Sequence, residues 1–92
     1  MNERWRKHLG KGVIDCSVNY DETLIAAGGI DGEVFVLDME GKILSKVNVG
    51  MPIWGIDINN SGDLISVALA DKPNSKGKIV IIEKNRILFE KD

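Results

Sequence analysis

His8 and Cys16 are the chain's single imidazole and single thiol, and neither stands where a nucleophile and its base would meet. A triad-type hydrolase needs the nucleophile within hydrogen-bond reach of a base that a third group orients. His8 lies in a basic opening segment with no Ser or Cys motif around it, and Cys16 falls in an apolar alternation that marks a small core residue. Zinc would want clustered His and Cys, and the Asp-Gly-Glu of residues 31–33 is too short for a calcium loop. The glycine-rich run at residues 28–32 leads into β-branched residues. A phosphate cradle needs a helix N-terminus behind it, so the run reads as a hairpin. No catalytic, cofactor-binding or metal-binding residue is expected, and no cofactor.

Three other side chains stand out. Asp15 and Asp57 each interrupt an apolar strand pattern, and a carboxylate on a packed face needs hydrogen-bond partners or a shifted pKa. They suit either the lining of a central channel or bonds to backbone amides of a neighbouring sheet. Trp54 opens another apolar run, where its ring suits packing between sheets better than stacking a ligand.

The elements that must position these residues are short and β-type. No stretch sustains a helical period, and aliphatic runs recur between turn residues every eight to twelve positions or so. Strands are expected at residues 4–9, 13–18, 23–27, 33–37 and 43–49, and again at 53–58, 63–69, 78–83 and 86–90. The second group echoes the first. Residues 13–19 lie over 53–59, and Leu24-Ile25 over Leu64-Ile65, at an offset of 40. After an insertion at residues 72–76, residues 32–38 lie over 77–83. A strand-rich repeat of roughly 40 to 45 residues marks the blade of a β-propeller. The expected fold is therefore all-β, two four-stranded antiparallel blades plus an extra N-terminal outer strand. Residues 1–12 would end a preceding blade, 13–50 form the first blade and 51–92 the second.

Within such a repeat, both faces of the innermost strands should be buried. Ile14, Cys16 and Val18 oppose Val13, Asp15 and Ser17, and Trp54, Ile56 and Ile58 oppose Ile53, Gly55 and Asp57. The second face of each is small or polar, which would let blades approach closely. The insertion Lys72-Pro73-Asn74-Ser75-Lys76 lengthens one loop with polar and basic residues, and loops on rigid scaffolds are where recognition is commonly placed. Lys11, Met51, Trp54, Lys72, Asn74 and Lys76 are therefore the candidate interaction face.

Residues 13–38 and 53–71 resemble the WD-repeat and quinoprotein-like propeller superfamily, from the inner strand through the Asx-rich turn and the "IAxGxxDG" second strand. The resemblance implies that Asp31 and Asp71 anchor the turn between second and third strands. The Gly-His and Trp-Asp pairs of a WD repeat are replaced by Lys11-Gly12 and Met51-Pro52, and by Leu37-Asp38 and Ile82-Glu83. The turn Gly41-Lys42-Ile43-Leu44 resembles the generic quinoprotein-like type.

Two blades leave sheet faces and edges open, since closed propellers have roughly four to eight blades. Either the chain is part of a longer propeller, or copies assemble head to tail in a ring. The expected function is non-enzymatic, in protein–protein interaction or scaffold assembly, with a protein partner or self-association. The alternatives are a fragment of a quinoprotein-like enzyme with its active site in other blades, and a carbohydrate- or ligand-binding propeller. A net charge of −2 over 92 residues gives no field that favours nucleic acid. No apolar run reaches a membrane-spanning length. A lone cysteine and no apolar leader fit a cytoplasmic protein.

Overall fold

The computed structural model describes residues 8–69, 77–83 and 86–91. Among the described residues there are eight strands and no helix. They are β1 (Val13–Val18), β2 (Leu24–Gly29), β3 (Glu33–Asp38), β4 (Ile43–Asn48), β5 (Ile53–Ile58), β6 (Leu64–Leu69), β7 (Lys78–Glu83) and β8 (Arg86–Lys91). Two antiparallel sheets result, β1-β2-β3-β4 and β5-β6-β7-β8, each a simple meander. Most of the strand expected at residues 4–9 lies outside the described residues, and His8 and Leu9 are not in a strand.

The repeat extends into details of the backbone. Each inner strand carries a bulge at the same place, between Val13 and Asp15 in β1 and between Ile53 and Gly55 in β5. Each outer strand carries another, β4 opposite Val36/Leu37 and β8 opposite Ile81/Ile82. The turn after each inner strand closes alike. The Asn19 amide donates to the Leu24 carbonyl at 3.2 Å and the Asn59 amide to the Leu64 carbonyl at 3.0 Å. The same left-handed turn position is filled by Glu22 at φ 57° in one copy and by Gly62 at φ 86° in the other. Glycine adopts that conformation without steric cost, whereas glutamate does not.

The main core lies between the sheets. Ala26 and Val34 of the first sheet pack with Ile56, Ile58, Val67 and Val80 of the second, all buried. The sheets meet chiefly where β1 and β2 face β5. A smaller cluster of Ala27, Phe35 and Leu37, with Leu9 and Ile25 against it, closes part of the opposite face of the first sheet.

Two expectations about the inner strands need correction. The Ile14-Cys16-Val18 face is not buried: Ile14 is 51% exposed, Val18 46%, and the Cys16 thiol is exposed. Burying it takes a third sheet on that side, and none stands there among the described residues. In β5 the bulge breaks the alternation. Ile53 turns inward with Ile56 and Ile58, at 1% exposed, while Trp54 is 59% exposed instead of packing between the sheets.

Candidate interaction surfaces

The seam between the sheets is built from small and polar residues on one side and branched aliphatics on the other. Gly28 lies on the central strand β2, in register with Asp15 and Val34. A methyl group placed there would come within 2.6 Å of Ile53 Cγ2, so the absence of a side chain lets Ile53 seat against the first sheet. β5 is the inner edge of its sheet, and its Ile56 amide donates across the seam to Asp15 Oδ2 at 3.0 Å. Of the two roles open to Asp15, a bond to a neighbouring backbone amide is the one observed. Ser17 Oγ donates to Asp57 Oδ1 at 3.0 Å, and the Ile58 amide donates to the same oxygen at 3.1 Å. At the far end of the seam Asn19, only 2% exposed, accepts from the Thr23 and Leu24 amides at 2.9 Å. Its Nδ2 donates to Thr23 Oγ1 at 2.9 Å and to the Asn60 carbonyl at 3.4 Å. One buried amide side chain therefore ties the turn of one sheet to the turn of the other.

At the other end of the strands sit the described members of the sequence-derived face. The Ile30 amide donates to the Gly12 carbonyl at 2.9 Å and the Val49 amide to the Gly32 carbonyl at 2.8 Å. The segments carrying Lys11 and Met51 thus flank the turn between β2 and β3. Asp31 Oδ1 accepts from the Glu33 amide at 3.3 Å within that turn. Lys11 is exposed, whereas Met51 is half-buried and packs against the main core, which withdraws it from a partner. Trp54 is exposed near the start of β5. Lys72, Asn74 and Lys76, with Asp71, lie outside the described residues. No group of three or more His, Cys, Asp or Glu side chains that could hold a metal occurs among the described residues. No helix among them is long and apolar enough to cross a membrane.

A further open surface lies elsewhere, on the outward face of the second sheet. Gly55, Asp57, Ser66, Ala68 and Ile79 border a recess of about 360 Å³ there, with Asp15 at its rim. Ile79 is 52% exposed. Sequence reasoning passed over Ile79 and Ala68, although the repeat contained the signal. Strand register makes Ala68 the counterpart of Gly28, and Ile79 the counterpart of Val34, which is 1% exposed inside the seam.

The two meandering four-stranded sheets, packed face to face with their inner strands adjacent, are blades of a β-propeller. Consistent with this, the chain superposes on the β-propeller domain of Cps50 (Swd1) from Myceliophteria thermophila with a TM-score of 0.66. The match has 15% sequence identity and covers 83% of this chain and 23% of that one, so the chain spans about a quarter of the length of its structural neighbour. At that identity the likeness establishes the fold. No family model matches the chain, and no curated protein matches it in sequence.

Proposed function

We propose that the chain is a non-enzymatic propeller segment that binds protein through its two terminal sheet faces. One observation carries the reading. Residues at the open ends occupy repeat positions that are buried where the two blades meet. Ile79 at 52% exposure stands where Val34 is at 1%, and Val18 at 46% stands where Ile58 is at 6%. Aliphatic side chains gain about 1.5–3 kcal/mol each on full burial, and contiguous apolar patches on a soluble surface mark interaction sites. Among the described residues of the loop end, Met51 is committed to the core.

A photo-crosslinking residue placed at position 79 or 18, with position 40 on an outer turn as the control, tests the reading in cells expressing the chain. Protein adducts at 79 and 18 and none at 40, with the partner identified by mass spectrometry, are expected. Adducts confined to the outer turn, or none at either face, would refute it.

A further inference from the structure

We infer that the partner is a second copy of this chain, docked head to tail so that the outward face of β5, β6 and β7 on one copy receives β1 of the next. The inference rests on the reading above and deepens it. Its ground is the seam between the two blades, several of whose packing positions have counterparts at the ends of the chain, although Gly55 there lacks the carboxylate of Asp15.

Offsets of 40 before the insertion and 45 after it assign each seam residue a counterpart at one end. On the donor side Ser17, Ala26, Gly28 and Val34 correspond to Asp57, Ser66, Ala68 and Ile79. The first four line the seam, and the second four line the open face of the second sheet. On the acceptor side Ile53, Ile56 and Ile58 correspond to Val13, Cys16 and Val18. The first three are buried at 8% exposure or less, while Val13 and Val18 are each 46% exposed and Cys16 is open. The adjoining part of that face, Ala27, Phe35 and Leu37 with Leu9 and Ile25 against it, is already closed up to the strand paired with β1, so the open acceptor surface is β1 itself, whose counterpart β5 makes the contact in the seam.

The substitutions at the tightest point compensate. Inside the chain Gly28 receives Ile53; across the junction Ala68 would receive Val13. One carbon is added on one side and one removed on the other, so total side-chain volume is held. Volume-conserving exchanges are the ones packed interfaces tolerate. The interface is heterologous, and a rotation that closes gives a ring. Closed propellers of roughly four to eight blades would need roughly two to four copies.

The test uses the full chain and two substitutions at exposed sites, Val13→Arg on the acceptor strand and Ala68→Arg on the donor face. Circular dichroism confirms that each folds. By light scattering across a dilution series, the unsubstituted chain should have a discrete mass of two to four chains or so, and each variant alone should be monomeric. Mixed together, the variants should form a 1:1 pair that grows no further, because each retains the face the other lacks. Cys16 supplies an independent readout with an aromatic disulfide reagent. Its reactivity should fall at least about tenfold in the ring, as expected for a thiol taking the buried place of Ile56, and about half the thiols should be protected in the mixed pair. A monomeric chain with a fully reactive thiol would overturn the inference, as would an oligomer that either substitution leaves intact or a mixture that stays monomeric. If position 79 crosslinks to a different protein while the chain stays monomeric, the interaction reading stands and the self-docking inference falls.

Discussion

Replacing Gly28 by alanine probes the closest approach between the two blades. The added methyl would lie 2.6 Å from Ile53 Cγ2, 3.1 Å from Cδ1 and 3.3 Å from Cβ. Carbon atoms prefer a separation of about 3.5–4.0 Å, so the overlap with Cγ2 is roughly 1 Å. Neither side yields easily: Gly28 is held between β1 and β3, and Ile53 is 1% exposed and stiff at χ1. Overpacking of this kind costs about 1–3 kcal/mol. Alanine recovers about 0.5–1 kcal/mol over glycine in a strand whose φ it can adopt. The expected net loss is therefore about 1–2 kcal/mol, seen as a lower midpoint in urea at unchanged slope. Ile53→Ala alone should cost about 2–5 kcal/mol. In that background Gly28→Ala should be neutral or stabilising, because both γ and δ carbons are gone. The double-mutant cycle should then show a coupling of about 1–3 kcal/mol. If Gly28→Ala is neutral in the parent chain, or if the two changes add within about 0.5 kcal/mol, the blades do not seat as described.

Other perturbations separate the roles of paired positions. Asn19→Ala should cost about 2–3 kcal/mol by chemical denaturation, since a buried side chain with partners in both blades is lost. Asn59→Ala, which removes one exposed bond to the Leu64 amide, should cost about 0.5–1 kcal/mol; equal losses would contradict the stitching role of Asn19. Glu22→Gly should raise the thermal midpoint, with a gain of up to about 1 kcal/mol from relief of left-handed backbone, and a loss would show that the turn is not strained. Asp15→Ala leaves the Ile56 amide without its acceptor and should cost about 1.5–3 kcal/mol. Asp15→Asn retains a carbonyl acceptor and should cost less than half as much, and the reverse order would place the value of Asp15 in its charge.

Much of this arrangement was legible because each copy served as a control for the other. The offset of 40 located inner strands and turns, and the bounds of β1, β5 and β7 coincide with the runs read from residue types. The glycine-rich run is a hairpin between β2 and β3, as its lack of a following helix implied. The errors share a physical cause. Alternation assigns faces only while pairing is regular, so the bulge at Ile53/Gly55 inverted the expected places of Ile53 and Trp54. Hydropathy reports that a strand wants covering without saying what covers it, which is why Ile14, Cys16 and Val18 looked like core. The importance of Asn19 over Asn59 was hidden because the two share a turn motif and differ in whether another turn lies above them.

The positions where the two copies diverge carry the remaining argument. Leu24 and Ile25 match Leu64 and Ile65 across the repeat, whereas at the seam Asp15 stands against Gly55, Ser17 against Asp57, Gly28 against Ala68 and Val13 against Ile53. A blade's own stability would not demand this, because these side chains contribute little to packing inside their sheet. Each change makes sense only against what stands opposite, whether Asp15 reaching the free Ile56 amide or Gly28 making room for Ile53. On the self-docking proposal, the open ends carry sequence fitted to a surface outside the two blades. Ala68 and Ile79 are larger than their counterparts Gly28 and Val34, and Val13, Cys16 and Val18 are smaller than Ile53, Ile56 and Ile58. A larger donor face and a smaller acceptor face are what head-to-tail docking would require, and that pairing directs the search for a partner to the sheet faces before the loops.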